Sequence, residues 1–350
     1  MRERLLQWLA CPVCNGHLSL DIGLVKGKEV IEGALRCSCG EIFPIVDGVP
    51  RLLTGQLRIE LLQHYPDFFQ RQNNLLANYP THKVLGEKKE TIDRFGYEWT
   101  HFSKYDCDNF RRFTAPLPDN FFQGKLGLDA GCGAGRHAKQ AAELGAEIVC
   151  IDLSQAVDAA YQNTVNNKSV HIIQADIYNL PFKHGVFQFI YSLGVLHHLP
   201  HPEKGFQILL PYLTTGGFLF VWLYSYTFRK TALEILRYFA RPLSNENIRR
   251  FAYLCNIVDY GIFVNLYRLT TKLPILGGLV ERYSPLRIKE YAAHGFQVGF
   301  TDWFDRLSAP ITNYYKEDEM RNWLKRSGLS NTKLVLEGDS WWWLYGERKA

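Results

Sequence analysis

Three glycines crowd into five positions of the stretch LGLDAGCGAGRH, residues 126–137: Gly131, Gly133 and Gly135, with Asp129 just ahead of them. A glycine turn lets backbone N–H groups come close to a ligand, because no Cβ stands between them. The Asp129 carboxylate belongs at a strand end, where open α/β sheets hold their ligands. It suits a ligand carrying an amine or a hydroxyl and repels phosphate, which favours an amino-acid-bearing nucleoside over a nucleotide. Two more carboxylates, Asp152 and Asp176, close the next two apolar runs. Asp152 follows the glycines by about 20 residues, the separation at which an acidic side chain reaches ribose hydroxyls. The dinucleotide fingerprint GxGxxG fails here, since Arg136 stands in the place of its third glycine.

Two further sets of side chains could do chemistry. Cys11 and Cys14 form one close pair and Cys37 and Cys39 another. Four thiolates can hold one tetrahedral zinc and staple a segment too small to bury a core of its own. In a reducing compartment such spacing points to metal before disulfide. The first pair has knuckle spacing; the second is C-x-C where C-x₂-C is usual. A thiol cluster without metal, or a site completed by an outside residue, stays open. His197 and His198 follow the fourth apolar run of the central region. Either ring could take a proton near neutral pH; packing or loop capping is the alternative.

These residues need elements to position them, and from residue 121 short apolar runs alternate with helical patterns, which implies a parallel sheet. Strands are expected over 125–128, 147–151, 170–174, 187–192 and 218–222, with two more around 333–336 and 341–345. Continuous β-branched and aromatic runs suit strands buried on both faces. Residues 208–213 read as a helix end and Gly216-Gly217 as a turn. A helix over 317–326 ends before Gly328, a glycine in the C′ place. The fold class is therefore α/β, a doubly wound and mostly parallel seven-stranded sheet with a small N-terminal β-rich ribbon and a helical insert. The expected units are the ribbon (1–53), a helical connecting region or lid (54–120), the ligand-binding core (121–225), a helical substrate cap (226–300) and a segment completing the sheet (301–350). Phe95, Tyr97 and Trp99 fit either a lid or plain core. Trp303, Asp305, Tyr314 and Tyr315 are candidates for choosing the substrate, each with a core alternative. The aromatic run 251–267 fits a buried helix better than one resting on a membrane surface.

Composition sets the frame. A chain of 350 residues has room for one large domain and a small one. The net charge of +5 comes with no long basic run, so nothing in it favours nucleic acid. The opening MRERLLQWLAC imitates a short signal, but its apolar run is brief and broken by Gln7. No uninterrupted apolar stretch is long enough to span a bilayer, since 208–224 is broken by Pro211 and Gly216-Gly217. A cytoplasmic location is expected, and the oligomeric state is not legible.

Two resemblances add to this reading. LACPVC, LRCSCG and EIFPIVDGVPRLL resemble the zinc-ribbon family of small activator proteins that partner tRNA and protein methyltransferases, over about 45 residues. LDAGCGAG, IDLS, QADIYNLPF, YSLGVLHHLP and TTGGFLFVWLY resemble, in order, the motifs of class I S-adenosylmethionine-dependent methyltransferases. That second resemblance implies S-adenosylmethionine as cofactor, with Asp129 and Gly131 at its methionine end. It further implies Asp152 at the ribose, Asp176 and Ile177 at the adenine, and Leu193 beside the sulfonium. FGYEW resembles an entry segment found before many methyltransferase domains. DWFDRLSAP and EDEMRNWLKRSGL resemble the tail of bacterial methyltransferases of polysaccharide and secondary-metabolite pathways, which implies a small-molecule, glycan or lipid-linked acceptor. The competing classes are a nicotinamide-type Rossmann oxidoreductase and a ribbon module recruiting tRNA or protein.

Overall fold

The computed structural model describes residues 1–72, 87–102, 109–118, 120–226, 230–274, 276–338 and 340–349. Parts of the expected connecting region (73–86 and 103–108) and of the expected cap (227–229) lie outside the described residues.

The first 50 residues fold as a four-stranded antiparallel sheet in the order β1-β2-β3-β4. Its strands are β1 Leu18–Lys26, β2 Glu29–Cys37, β3 Ile42–Val46 and β4 Val49–Pro50. Gly27, with φ of +64°, turns β1 into β2. β1 is exposed along most of its length, whereas β3 is almost wholly buried. The buried side of this sheet does not form a separate core. Leu5, Leu9, Phe43, Ile45 and Leu52 join Val149, Ile151, Ile173 and Phe182 in one continuous cluster. A unit this small gains its stability by sharing apolar area with a larger neighbour.

The large sheet has β5 Leu126–Ala130, β6 Glu147–Asp152, β7 Val170–Gln174, β8 Phe187–Leu193, β9 Leu213–Tyr224, β10 Ser330–Glu337 and β11 Trp341–Glu347. Their order is β10-β11-β9-β8-β5-β6-β7. β5 to β9 pair in parallel, and β11 runs antiparallel to both β9 and β10. All seven expected strands are present, and the mostly parallel, doubly wound reading holds. The run Ile148–Ile151 is buried at every position, as both faces of the sheet are covered. The chain moves outward from β5 through β6 to β7, then crosses to β8 on the other side of β5. That switch opens a crevice at the carboxyl ends of β5, β6 and β8.

β7 is an edge, and a bare edge invites further pairing. The ribbon covers it: Arg51 bridges Gln174 in parallel register, and the Leu52 N–H donates to the Gln174 carbonyl at 2.8 Å.

Two readings of the sequence need correction. The helix Pro202–Leu209 and a 3₁₀ turn end at Tyr212, and β9 starts at Leu213, not Phe218. Gly216 and Gly217 lie inside that strand, at an irregularity where Phe187 faces Leu213 and Phe189 faces Phe218. Glycine marks a bulge here, which the pattern alone does not separate from a turn. The run 251–267 is helical but only one side of it is buried; its outer positions are exposed. Helices Asn245–Val258 and Phe296–Ser308 pack together as a cap, with Phe102, Ala252, Phe300 and Phe304 between them.

Candidate active site

β5 ends at Ala130 and delivers the glycine turn, whose Gly131 and Cys132 N–H groups both donate to the Ile151 carbonyl of β6 at 2.9 Å. Gly131 has φ of +95°, and a Cβ there would lie 2.4 Å from Val195. Gly133 has φ of +52°, and a Cβ there would meet the Trp99 indole at 3.1 Å. The turn is thus closed from one side by Val195 and from the other by Trp99, with no room for a side chain. Gly135, also left-handed at φ of +80°, precedes the helix Arg136–Glu143.

Around this turn lies a cleft. Gly131, Gly133, Asp152, Asp176, Ile177, Leu193 and His198 all line it. They arrive from four strand ends, which the switch in strand order brings together. Asp129, Gly135 and His197 do not reach its wall.

Asp152 is held in place from two directions. One carboxylate oxygen accepts from the Gly133 N–H at 3.0 Å; the other accepts from the Ser154 N–H at 2.9 Å and its hydroxyl at 2.7 Å. Burial raises this carboxyl, and those hydrogen bonds pull against the rise. A carboxylate offers about four lone-pair positions, so hydroxyl donors still find acceptors here. Asp176 caps the 3₁₀ turn Ile177–Asn179, accepting from the Tyr178 N–H at 2.9 Å.

Asp129 sits beneath the turn, buried, and accepts from the Tyr191 hydroxyl at 3.0 Å. Burial pushes its carboxyl up to about 7, against the pull of the Tyr191 hydrogen bond. Such a carboxyl changes charge readily when a cation arrives next to it.

The two histidines part company. His198 reaches the cleft; its Nδ1–H donates to the Ile311 carbonyl at 2.7 Å, which leaves Nε2 as the acceptor. Burial lowers its pKa to about 4, so the ring is neutral at pH 7. His197 is fully buried against Tyr224, with ring centroids 4.0 Å apart. Neither of its nitrogens has a hydrogen-bond partner among the described residues.

Phe95 and Trp99, read as lid or core, and Asp305, a substrate-choosing candidate, all line the cleft, whereas Arg136 escaped the sequence reading as a site residue. Phe95 and Trp99 come from the helix Glu87–His101, which lies over the cleft. Arg136 lines the cleft and stacks its guanidinium over Trp99 at 5.5 Å. Asp305 enters from the cap helix, with its carboxyl raised to about 6 by burial and by nearby Asp302. Behind it, Glu98 is completely buried, and neither carboxyl oxygen has a hydrogen-bond partner among the described residues. The FGYEW string was the available signal: Phe95 and Trp99, four apart on a helix, share one face. Tyr97, on the other side, donates to Glu246 of the cap. Of the substrate-choosing candidates, only Asp305 reaches the cleft. Trp303 donates to Asp259, Tyr314 stacks on Tyr224, and Tyr315 packs against Trp323.

The four ribbon thiols gather within 4.8 Å of one another, with Cys11 to Cys39 at 3.8 Å and Cys14 to Cys37 at 3.4 Å. A zinc tetrahedron with bonds of about 2.3 Å has edges of about 3.8 Å, so the cluster fits that ion. None of these cysteines is in a disulfide.

A parallel sheet with a switch point, a glycine turn and an acidic residue closing the second strand define the class of nucleoside-binding α/β folds. Comparison with known proteins narrows it. The methyltransferase-domain family Methyltransf_11 matches residues 128–221, and the Trm112p-like protein family matches residues 2–48. A UPF0434 protein of Photorhabdus laumondii is 46% identical over 59 residues, 17% of this chain and 86% of that protein. Phosphoethanolamine N-methyltransferase 2 of Caenorhabditis elegans is 26% identical over 215 residues, 58% of this chain and 47% of the relative. The structure of magnesium protoporphyrin IX methyltransferase from Synechocystis, with bound S-adenosylhomocysteine, superposes with a TM-score of 0.40 at 16% identity, covering 84% of this chain and all of that one. The chain thus carries a methyltransferase domain over residues 128–221 and a Trm112p-like unit over residues 2–48. It spans between a quarter and about half the length of the first curated relatives it matches, 25% and 47%.

Proposed function

We propose that the protein transfers the methyl group of S-adenosylmethionine to an oxygen, nitrogen or carbon atom of a small-molecule, glycan or lipid-linked acceptor. One observation supports this most: a single cleft joins the glycine turn and Asp152 to His198 and Asp305. In this reading the Gly131 and Gly133 backbone receives the amino-acid end of the donor, and Asp129, buried beneath the turn, supports it electrostatically from behind. Asp152 accepts from the ribose hydroxyls, while Asp176 and Ile177 flank the base. Leu193 lies toward the reacting end. The bound donor supplies a methyl carbon already activated by positive sulfur. The protein's own contribution is to exclude water and align the acceptor, and positioning alone can supply about 7–11 kcal/mol in the best cases.

Where the acceptor is a hydroxyl or a carbon acid, His198 Nε2 takes its proton; the Nδ1 bond to Ile311 fixes the tautomer that makes this possible. Burial keeps the ring neutral and able to accept at ordinary pH. Phe95 and Trp99 close the cleft from above. Zinc held by Cys11, Cys14, Cys37 and Cys39 would act as a structural cross-link, remote from the reaction. The reduced thiols fit a cytoplasmic setting.

Calorimetry with S-adenosylmethionine and with its demethylated product tests the first step, and heat from both is expected. No heat from a demonstrably folded protein sinks the reading. Incubating cell-extract metabolites and lipids with labelled donor, then mass spectrometry, tests the acceptor. Label appearing only in tRNA or protein would overturn the acceptor class.

A further inference from the structure

The cap has an outer side that the reaction does not use. Helix Asn245–Val258 continues through the π turn Asp259–Val264 into helix Asn265–Thr270, a rod of about 39 Å at 1.5 Å per residue. Its inner face is spent: Ile248, Ala252, Asn256, Asp259 and Val264 are buried. On its outer face Leu254, Ile257, Val258, Ile262, Leu266 and Leu269 are between 43% and 65% exposed. These positions recur every three to four residues, so they make a stripe and not scattered singles. The next helix, Gly277–Tyr283, prolongs the same character with Leu279 and Tyr283 exposed. A continuous apolar stripe of this kind is unusual on a monomer and marks a surface that something covers.

Charge decides what that something is. Over the described residues of 245–283, the charged side chains open to solvent are Arg249, Arg250, Arg268, Lys272 and Arg282 against Glu246, which pairs with the first two, and Glu281, a net basic face. A second copy meeting this face would set guanidinium against guanidinium. An anionic bilayer complements it, with apolar side chains in the acyl boundary and basic ones among headgroups. Among the described residues no helix is long and apolar enough to cross a membrane. The rod is therefore suited to lying on the interface and not to spanning it.

We propose that the outer face of 245–283 docks the protein onto the surface of an anionic phospholipid bilayer. The docked face is one helix layer from the cleft. The rod packs on helices Glu87–His101 and Phe296–Ser308, and those helices carry Trp99 and Asp305 to the cleft wall. The docking does not depend on methyl transfer.

Flotation of the full chain with vesicles provides the test, using phosphatidylglycerol mixed into phosphatidylcholine, and phosphatidylcholine alone. Binding to the anionic vesicles at least ~tenfold tighter than to the neutral ones, weakening as salt rises, is expected. The triple variant Leu254→Glu, Ile262→Glu, Leu266→Glu should lose that binding by at least ~tenfold while donor calorimetry and circular dichroism stay unchanged. The pair Arg268→Glu and Lys272→Glu should abolish the preference for anionic vesicles. The proposal is overturned if neither vesicle binds the protein, or if the triple variant floats as well as the parent. It is also overturned if sedimentation shows a dimer that the triple substitution disperses while no vesicle binding occurs. Since the measurement needs neither donor nor turnover, its failure leaves the methyl-transfer reading standing, and the reverse holds too.

Discussion

The guanidinium of Arg51 donates to the side-chain oxygen of Gln174 at 3.2 Å, two residues ahead of Asp176. Arg51 is fully buried, also pairs with Asp158 at 2.5 Å, and lies over the Tyr65 ring at 4.6 Å. The last turn of the ribbon thus holds the edge strand that leads into the cleft.

Replacing Arg51 by Ala leaves Gln174 without its buried donor and Asp158 without its cation. Asp158 is over a third exposed and keeps the Tyr65 hydroxyl, so the main cost is the unsatisfied Gln174 and the lost packing, about 1–3 kcal/mol. The expected result is a clear drop in the thermal midpoint together with weaker donor binding, read by calorimetry at a temperature where the variant is still folded. Unchanged donor affinity would show that the ribbon supports stability without steadying the cleft.

Asp129 gives a pH signature. Its carboxyl is raised from 3.8 to about 7, so the folded state holds the proton more tightly than the unfolded one. The corresponding stability is fully present below about pH 4 and is lost as pH rises through 7, a cost on the order of 4 kcal/mol at pH 8. Asp129→Asn should therefore stabilise the ligand-free protein at pH 8 and do little at pH 4. The same variant should bind the donor at least ~tenfold more weakly, while donor affinity of the parent rises between pH 6 and pH 8.

The histidines are expected to separate. His198→Gln should reduce kcat by about 10²–10⁴ if the acceptor loses a proton in the reaction. Because burial brings the His198 pKa down to about 4, the acid limb of the parent's rate profile should fall near that pH and not near 6.5. His197→Leu replaces an imidazole with no hydrogen-bond partner among the described residues by an apolar group. It should be neutral or stabilising in thermal melts. A large loss of activity in His197→Leu would reverse the assignment.

Metal analysis should find about one zinc per chain. Cys37→Ser or a strong chelator should lower the midpoint by several degrees and reduce donor affinity, since the thiol cluster borders the core shared with β6 and β7. A metal-free protein of unchanged stability would reduce the four thiols to ordinary packing.

Gly131→Ala tests the closed turn. A methyl group 2.4 Å from Val195, at φ of +95°, requires either Val195 or the backbone to move. Donor affinity should fall at least ~tenfold, with partial recovery on adding Val195→Ala.

Much of this was legible in the chain itself. Strand runs such as Ile148–Ile151 are uniformly apolar because both sheet faces are covered, and Asp152 announces the strand's end by its polarity. The glycine turn was legible because only glycine tolerates Gly131's backbone beside Val195. What was not legible depends on elements far apart in sequence. Trp99 meets Gly133, and Asp305 meets His198's side of the cleft, only once the helices Glu87–His101 and Phe296–Ser308 are laid over the sheet. The separation of His197 from His198 is likewise invisible in a dipeptide: it follows from Tyr224 and Ile311 claiming opposite rings. The run 251–267 looked buried because apolar content reports how oily a helix is, not how much of its circumference finds a neighbour.

The covalent joining of ribbon and sheet carries a last consequence. Because Arg51 and Gln174 are parts of one polypeptide, their encounter is intramolecular, and dilution cannot separate them. A preparation of this chain should keep the ribbon seated on β7 from micromolar to nanomolar concentration, so that its thermal midpoint does not fall on dilution.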